Sequence, residues 1–197
     1  MPFTPRTRRL ALIAHVATSV GWLGAVAAFL VLSVVGIRTA ESETVRACYV
    51  AMDLLGRFLI VPLSLLALAI GVVQSLGTQW GLLRYWWVAI KFALTLGAAG
   101  LLLLHQYTAV GAAAIFVRSS ADARQDIVTS GLGNQLATDA ALAIVVLTTT
   151  TFLSILKPWG VIQIALPRLA RYAVMAGALI LFAVVILHLL GGGMHRH

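Results

Sequence analysis

The residues of this sequence that could do chemistry are ionisable side chains placed inside long hydrophobic stretches. Lys91 and His105 share one stretch, His15 lies in the first stretch and His188 lies in the last. An ionisable side chain within a membrane span costs about 2.5–3.5 kcal/mol on insertion scales, so such residues ordinarily have partners or a function. A neutral imidazole is a common ligand of metals and of haem iron. These residues therefore predict a metal or haem site inside a membrane.

Lys91 and His105 lie on one face of the helix that carries them both. Fourteen residues separate them, which corresponds to about 21 Å along a helix at ~1.5 Å per residue. Fourteen steps of about 100° return to within roughly 40° of the starting direction. One helix face is therefore expected to carry a cation toward one end and an imidazole toward the other.

The composition is that of an integral membrane protein. Hydrophobic residues make up 61% of the 197 positions and charged residues only 10%, whereas soluble domains carry about 25% charged residues. The net charge of +8 is best explained by arginines at lipid headgroups, so no nucleic-acid partner is expected. A single cysteine, Cys48, excludes an internal disulfide and a thiolate cluster.

Five hydrophobic stretches are long enough to span a bilayer, which takes about 20 apolar residues as a helix. The sequence therefore predicts an all-α integral membrane protein, a single transmembrane domain over residues 1–197 built as a five-transmembrane-helix bundle. The basic, apolar N-terminus lacks a convincing cleavage site and is interpreted as a retained span. The predicted spans are Leu10–Ile37, Cys48–Leu76, Tyr85–Val117, Ala140–Leu156 and Tyr172–Leu190.

The distribution of arginine and lysine predicts the orientation of the bundle. The side that holds the N-terminus carries seven of them, and the opposite side carries five that are offset by acidic residues. This bias places the N-terminus inside and the C-terminus outside, in a multi-pass protein of the plasma (inner) membrane of a bacterium. The lipid bilayer is thus the expected partner, and a homo-oligomer is left open. The seven are Arg6, Arg8, Arg9, Arg84, Lys157, Arg168 and Arg171.

The predicted orientation places the intramembrane histidines at depths that suggest haem b, as one or two groups. His105 and His188 would lie at the same depth near the outer face and are candidate axial ligands to the iron. Arg57, on that side, could meet a propionate, although its i,i+4 spacing from Asp53 more simply predicts an ion pair.

A second haem is the corresponding prediction at the inner face. His15 would be its axial ligand, with Lys91 as propionate partner or as an unusual ligand. Trp22, seven residues after His15 and on nearly the same face, could stack on a bound ring. Simple packing is the alternative for these residues, since intramembrane histidines often only bond a neighbouring helix, and for Trp22 it is the more common role. Asp139, next to Thr138, is expected to cap a helix.

Part of the sequence resembles a known superfamily. The motif His15-x6-Trp22-x-Gly24 is similar to the opening motif of the HemJ-type protoporphyrinogen oxidases and the related CopD-type copper-resistance proteins. The segment from Arg57-Phe58 through Gly71 to Lys91 is similar to the same superfamily, so that the match covers roughly residues 10–110. This resemblance implies haem b binding, with functional roles for His15 and Lys91. In the copper-resistance branch it implies copper transport.

Four functions follow from these observations. The first is a haem-b-binding membrane protein that passes electrons to an unidentified redox partner. The second is a copper transporter or chaperone, favoured by the outer histidines and the C-terminal Met194 and His195. The third is an oxidase of a porphyrin intermediate, favoured by the resemblance alone. The fourth is a structural subunit without a cofactor.

Overall fold

The computed structural model describes residues 3–158 and 160–162, and helices account for most of them. Within this part of the chain there are five helices, and all except α4 are long and apolar enough to cross a membrane. The fold is therefore that of a helical membrane protein, as the composition predicts. The predicted fifth span, with His188, lies outside the described residues. The helices are α1 (Pro5–Arg38), α2 (Ser42–Leu76), α3 (Trp86–Ser119), α4 (Ala123–Ser130) and α5 (Leu132–Leu156).

The fourth predicted span is the one that differs most from the structure. Helix α5 begins at Leu132, eight residues before the predicted start at Ala140. Gly131 adopts φ +70°, a left-handed conformation that ends α4, and α5 starts directly after it. The polar sequence LGNQLATD is helical although its hydropathy does not indicate a span. Asp139 consequently lies inside the helix, and the prediction that it is a cap was wrong.

Two of the long helices contain a π-helical turn. In α2 the α-helical parts Ser42–Leu55 and Val61–Leu76 flank the π-helical segment Gly56–Ile60. In α3 the corresponding π-helical segment is Gln106–Val110. The two segments contact each other. A π-turn inserts one extra residue into a helix, widens it locally and is frequent at functional sites.

The chain forms two compact units. Of the described residues, unit 1 contains 3–20, Pro62–Leu96, 150–158 and 160–162, and unit 2 contains Gly21–Val61 and Gly97–Thr149. In unit 1, the connection between α2 and α3 is held by an antiparallel bridge between Tyr85 and Val161.

In unit 2, the end of α3 is fixed by a side chain of α2. The Arg46 guanidinium donates to the carbonyl oxygens of Val117 at 3.1 Å and Ser120 at 2.6 Å, groups that a helix C-terminus leaves unpaired. Asp122 then caps α4 by accepting from the Gln125 backbone N–H at 3.2 Å. These contacts order the connection that the sequence left without predicted structure.

Candidate functional site

A cavity of about 350 Å³ lies in unit 1, between residues of α1, α2, α3, α5 and the α2–α3 connection. Its volume falls in the range of small-molecule sites, about 300–1,000 Å³. Most of its lining is apolar or aromatic, as in other sites for small organic ligands. The apolar and aromatic walls are Leu12, Val16, Ala67, Leu68, Val72, Trp80, Leu82, Trp87, Val88 and Phe92.

His15 reaches this cavity from α1, and its ring is fixed by α2. The Nδ1 atom of His15 lies 3.1 Å from the carbonyl oxygen of Ala67, and a carbonyl can only accept, so Nδ1 carries the proton. The glycine at position 71 makes room for the ring, since a Cβ there would lie 3.1 Å from His15 Cε1. No hydrogen bond to Nε2 is formed by any residue that the structure describes. With Nδ1 protonated, the lone pair of Nε2 is the ring's acceptor site, and it is the atom through which such a histidine can bind a metal.

Lys91 lines the same cavity from α3 and is fixed by α5. Its Nζ donates to the Ser154 hydroxyl oxygen, and that hydroxyl in turn donates to the Thr150 carbonyl at 2.9 Å. The structure thus brings His15 and Lys91 to one cavity, as their predicted depths suggest. Ser154 is the partner of Lys91 that the sequence did not identify.

The charged residues that line the cavity are all cations. They are Arg8, Lys91 and Lys157, and no aspartate or glutamate lines the cavity in the described part of the chain. The Lys157 ammonium also lies 5.2 Å from the centroid of the Trp80 ring, a distance at which the ring face attracts a cation. A cavity with apolar walls and cations that no acidic lining residue neutralises suits an apolar molecule that bears acidic groups.

A second polar cluster lies in unit 2, beside the paired π-helical segments. The Asp53 carboxylate, 6% exposed, accepts at its Oδ1 from Arg57 Nε at 2.8 Å and from Gln106 Nε2 at 3.0 Å. The predicted pairing of Asp53 with Arg57 is confirmed. Gln106 was not identified from the sequence, since a lone glutamine near the end of a predicted span carries no spacing signal.

His105 also lies in unit 2, where both of its ring nitrogens have protein neighbours. Its Nδ1 lies 3.1 Å from the Leu101 carbonyl oxygen, one turn earlier in α3. Its Nε2 lies 3.2 Å from Asp139 Oδ2 of α5. Coordination of iron by Nε2 would require displacement of the Asp139 carboxylate. The proposed pairing of His105 with His188 stays a prediction because His188 is outside the described residues.

The remaining predicted ring-stacking residue, Trp22, belongs to unit 2 and does not line the cavity. Its side chain is buried, with 3% of the residue exposed, which fits a packing role. Its role in stacking on a cofactor stays a prediction.

Metal binding by several side chains has no support among the described residues. No three of the histidine, cysteine, aspartate and glutamate residues in that part of the chain lie close enough together to hold an ion. The copper hypothesis, which was based on the outer histidines and the C-terminal tail, stays a prediction because His188 and the tail lie outside the described residues.

The chain matches no protein-family model, no curated protein and no solved structure. The resemblance to the HemJ-type and CopD-type superfamily therefore stays a prediction. What supports a function is the geometry of the cavity in unit 1.

One of the cavity's cations, Arg8, could have been assigned to the site from the sequence. Arg8, Leu12 and His15 follow one another at i, i+4 and i+7, the spacing of a single helix face. The same arginine also fits the positive-inside rule, which explains it without a site. Lys157 lies three residues after Ser154, and no spacing rule connects it to α1 because the proximity is purely tertiary.

Proposed function

We propose that this chain is a haem-b-binding integral membrane protein that takes part in electron transfer, with His15 as an axial ligand to the iron. One observation carries the proposal: in a cavity with apolar walls, His15 keeps Nε2 free while Nδ1 is tied to the Ala67 carbonyl. An imidazole in this state is ready to ligate iron without a change of tautomer or rotamer.

The cations of the cavity support haem b in particular. A haem b molecule has an apolar macrocycle and two propionates, which are anionic at neutral pH. Arg8, Lys91 and Lys157 are the side chains that would bind these propionates. Arginine can do so through paired N–H groups, and lysine as a point charge.

Each residue then has a defined role. His15 binds and orients through Nε2, and Ala67 fixes its ring. Ser154 holds the Lys91 ammonium at the cavity wall. Haem, when bound, would supply one-electron exchange. The protein supplies position, exclusion of water and a positive field that stabilises the reduced, less positively charged state of the iron.

The test is the haem content of purified variants, measured as pyridine haemochrome per chain. His15→Ala is expected to lose the haem of this cavity. The matched control is His105→Ala, an intramembrane histidine whose ring nitrogens already have protein neighbours. Retained haem in His15→Ala together with loss in His105→Ala would move the site to unit 2 and refute the assignment. A second haem, held by His105 and His188, would show as a ratio near two in the wild type and near one in His15→Ala.

A second function uses the same cavity, with a porphyrin intermediate as substrate in place of a resident haem. The cationic lining favours it as well, because porphyrinogen intermediates also carry propionates. Oxidation of protoporphyrinogen that disappears in Lys91→Ala would support this reading. Normal turnover in Lys91→Ala would exclude this second function for the cavity.

The membrane arrangement that accompanies the proposal has its N-terminus inside, in the plasma membrane of a bacterium. Arg8 and Lys157, at the cavity, belong to the arginine-rich and lysine-rich side that the positive-inside rule places in the cytoplasm. Labelling of single cysteines at positions 4 and 120 in a Cys48→Ala background, from either side of the membrane, tests it. Labelling of position 4 from the outside would show that the orientation is the opposite of the proposed one.

A further inference from the structure

The polar cluster in unit 2 contains an arginine whose hydrogen-bonding capacity is only partly used by the residues that the structure describes. Of the three guanidinium nitrogens of Arg57, Nε donates to Asp53. No described residue accepts from Nη1 or Nη2. The Arg57 side chain is 41% exposed, and Arg57 lies near the middle of α2, a helix long enough to cross a membrane. Unsatisfied N–H groups at such a position cost free energy in an apolar environment.

The cluster holds this guanidinium in a fixed position. Asp53 binds Nε from one side, and Gln106, which is 1% exposed, binds the same carboxylate oxygen from α3. The fit around Gln106 is tight, because a Cβ at Gly56 would collide with its side-chain amide. The paired π-helical segments supply Gly56 and Gln106, and Asp53 lies just before the first of them. Asp53 and Gln106 are therefore positioning residues for Arg57.

The backbone of α3 passes close to Arg57 Nη2 at a glycine. Gly111 follows the π-helical turn of α3, and a Cβ at this position would lie 3.2 Å from Arg57 Nη2. Around Arg57 the surface is apolar, with Leu54 49% exposed and Phe58 69% exposed. A molecule that reaches the guanidinium through this surface must itself be soluble in lipid.

The charge of the cluster decides the chemistry of that molecule. Asp53 and Arg57 neutralise each other, so a bound anion would leave a net negative charge in a medium of low dielectric constant. A neutral acceptor leaves the pair neutral and satisfies the N–H groups. A carbonyl oxygen is an acceptor of this kind, since it has two lone pairs and no charge.

We propose that Arg57, positioned by Asp53 and Gln106, binds the carbonyl oxygen of a neutral lipid-soluble molecule through Nη1 and Nη2. Two sources of such a carbonyl exist in a membrane, a quinone and the ester group of a phospholipid. The proposal does not depend on haem in unit 1.

The experiment measures binding of a short-chain benzoquinone to the full-length chain in detergent by calorimetry. Arg57→Lys keeps the charge but removes the paired N–H groups, and Gly111→Ala places a methyl group against Nη2. Each is expected to weaken binding about tenfold or more, the effect of losing a hydrogen bond from a charged donor. The matched controls are Arg118→Lys, an exposed arginine at the end of α3, and Gly97→Ala, a glycine with no atom within 4 Å of an added Cβ. Both controls should bind as the wild type does.

Native mass spectrometry of the same proteins distinguishes the two sources. If the wild type does not bind the quinone but retains one phospholipid that Arg57→Lys and Gly111→Ala lose, the carbonyl is that of a lipid ester. Laurate tests the charge argument, and tight binding of this anion in place of the neutral ligands would overturn the proposal. So would equal quinone affinity and equal lipid retention in all five proteins. The use of two different variants keeps the test decisive if one of them fails to fold.

Discussion

Removal of the Asp53 carboxylate is expected to destabilise the fold by about 2–4 kcal/mol. Breaking a fully buried ion pair by deleting one partner costs about 3–5 kcal/mol. The 41% exposure of the Arg57 side chain lowers that figure, since an exposed guanidinium keeps part of its solvation. The loss of the acceptor for Gln106, which is 1% exposed, adds about 1 kcal/mol or more for a buried unpaired amide. The substitution Asp53→Ala combines these effects.

The assay is unfolding of the purified protein by titration with sodium dodecyl sulfate in mixed micelles, followed by circular dichroism. The matched control is Glu43→Gln on the same helix. Glu43 pairs with Arg46 at 2.6 Å, but its side chain is 74% exposed, so a loss of about 0.2–1 kcal/mol is expected. If Asp53→Ala cost no more than Glu43→Gln, the cluster would not be a buried network, and the positioning role given to it would be refuted.

Three further predictions concern other contacts. Gly71→Ala should lower the haem content because its Cβ would lie 3.1 Å from His15 Cε1. The control is Gly97→Ala, where an added Cβ meets no atom within 4 Å. Equal haem content in the two variants would contradict the proposed site. Arg46→Ala should destabilise the protein by about 1–3 kcal/mol by freeing carbonyls at the end of α3, in the same titration; an unchanged midpoint contradicts this. The Ser42 hydroxyl bond, followed by the Gln125 backbone N–H bond, lowers the pKa of Asp122. The Asp122 carboxylate therefore stabilises the fold at pH values above the ordinary aspartate pKa, and this stabilisation is lost as the pH falls through the lowered pKa of Asp122. Ser42→Ala should consequently weaken the acid dependence of unfolding.

Hydropathy predicted the first three long helices well because each combines an apolar run with charged or polar ends. The predicted spans Leu10–Ile37 and Cys48–Leu76 lie within α1 and α2. The extra turns in the structure are polar and therefore invisible to a hydropathy criterion. The start of α5 was missed for the same reason, and with it the pairing of Asp139 with His105.

The candidate sites were predictable where the spacing along one helix or the depth of a residue in its span carried the information. The i,i+4 spacing of Asp53 and Arg57 predicted their ion pair, and helical depth predicted that His15 and Lys91 lie at one level. The contacts of Lys91 with Ser154 and of Asp53 with Gln106 join residues 63 and 53 positions apart. Such contacts depend on how helices pack. The π-helical turns that accompany Gln106 have no sequence signal in a single chain, because their residues are also compatible with an α-helix.

The most direct test of the central claim is the absorption spectrum of detergent-purified wild type and His15→Ala, oxidised in air and then reduced with dithionite. The proposed function predicts a Soret band with resolved reduced α and β bands in the wild type, and loss of the haem of this cavity in His15→Ala at an unchanged helical content. A flat visible spectrum of wild type from haem-replete cells, or an unchanged haem-to-protein ratio in His15→Ala, would contradict it.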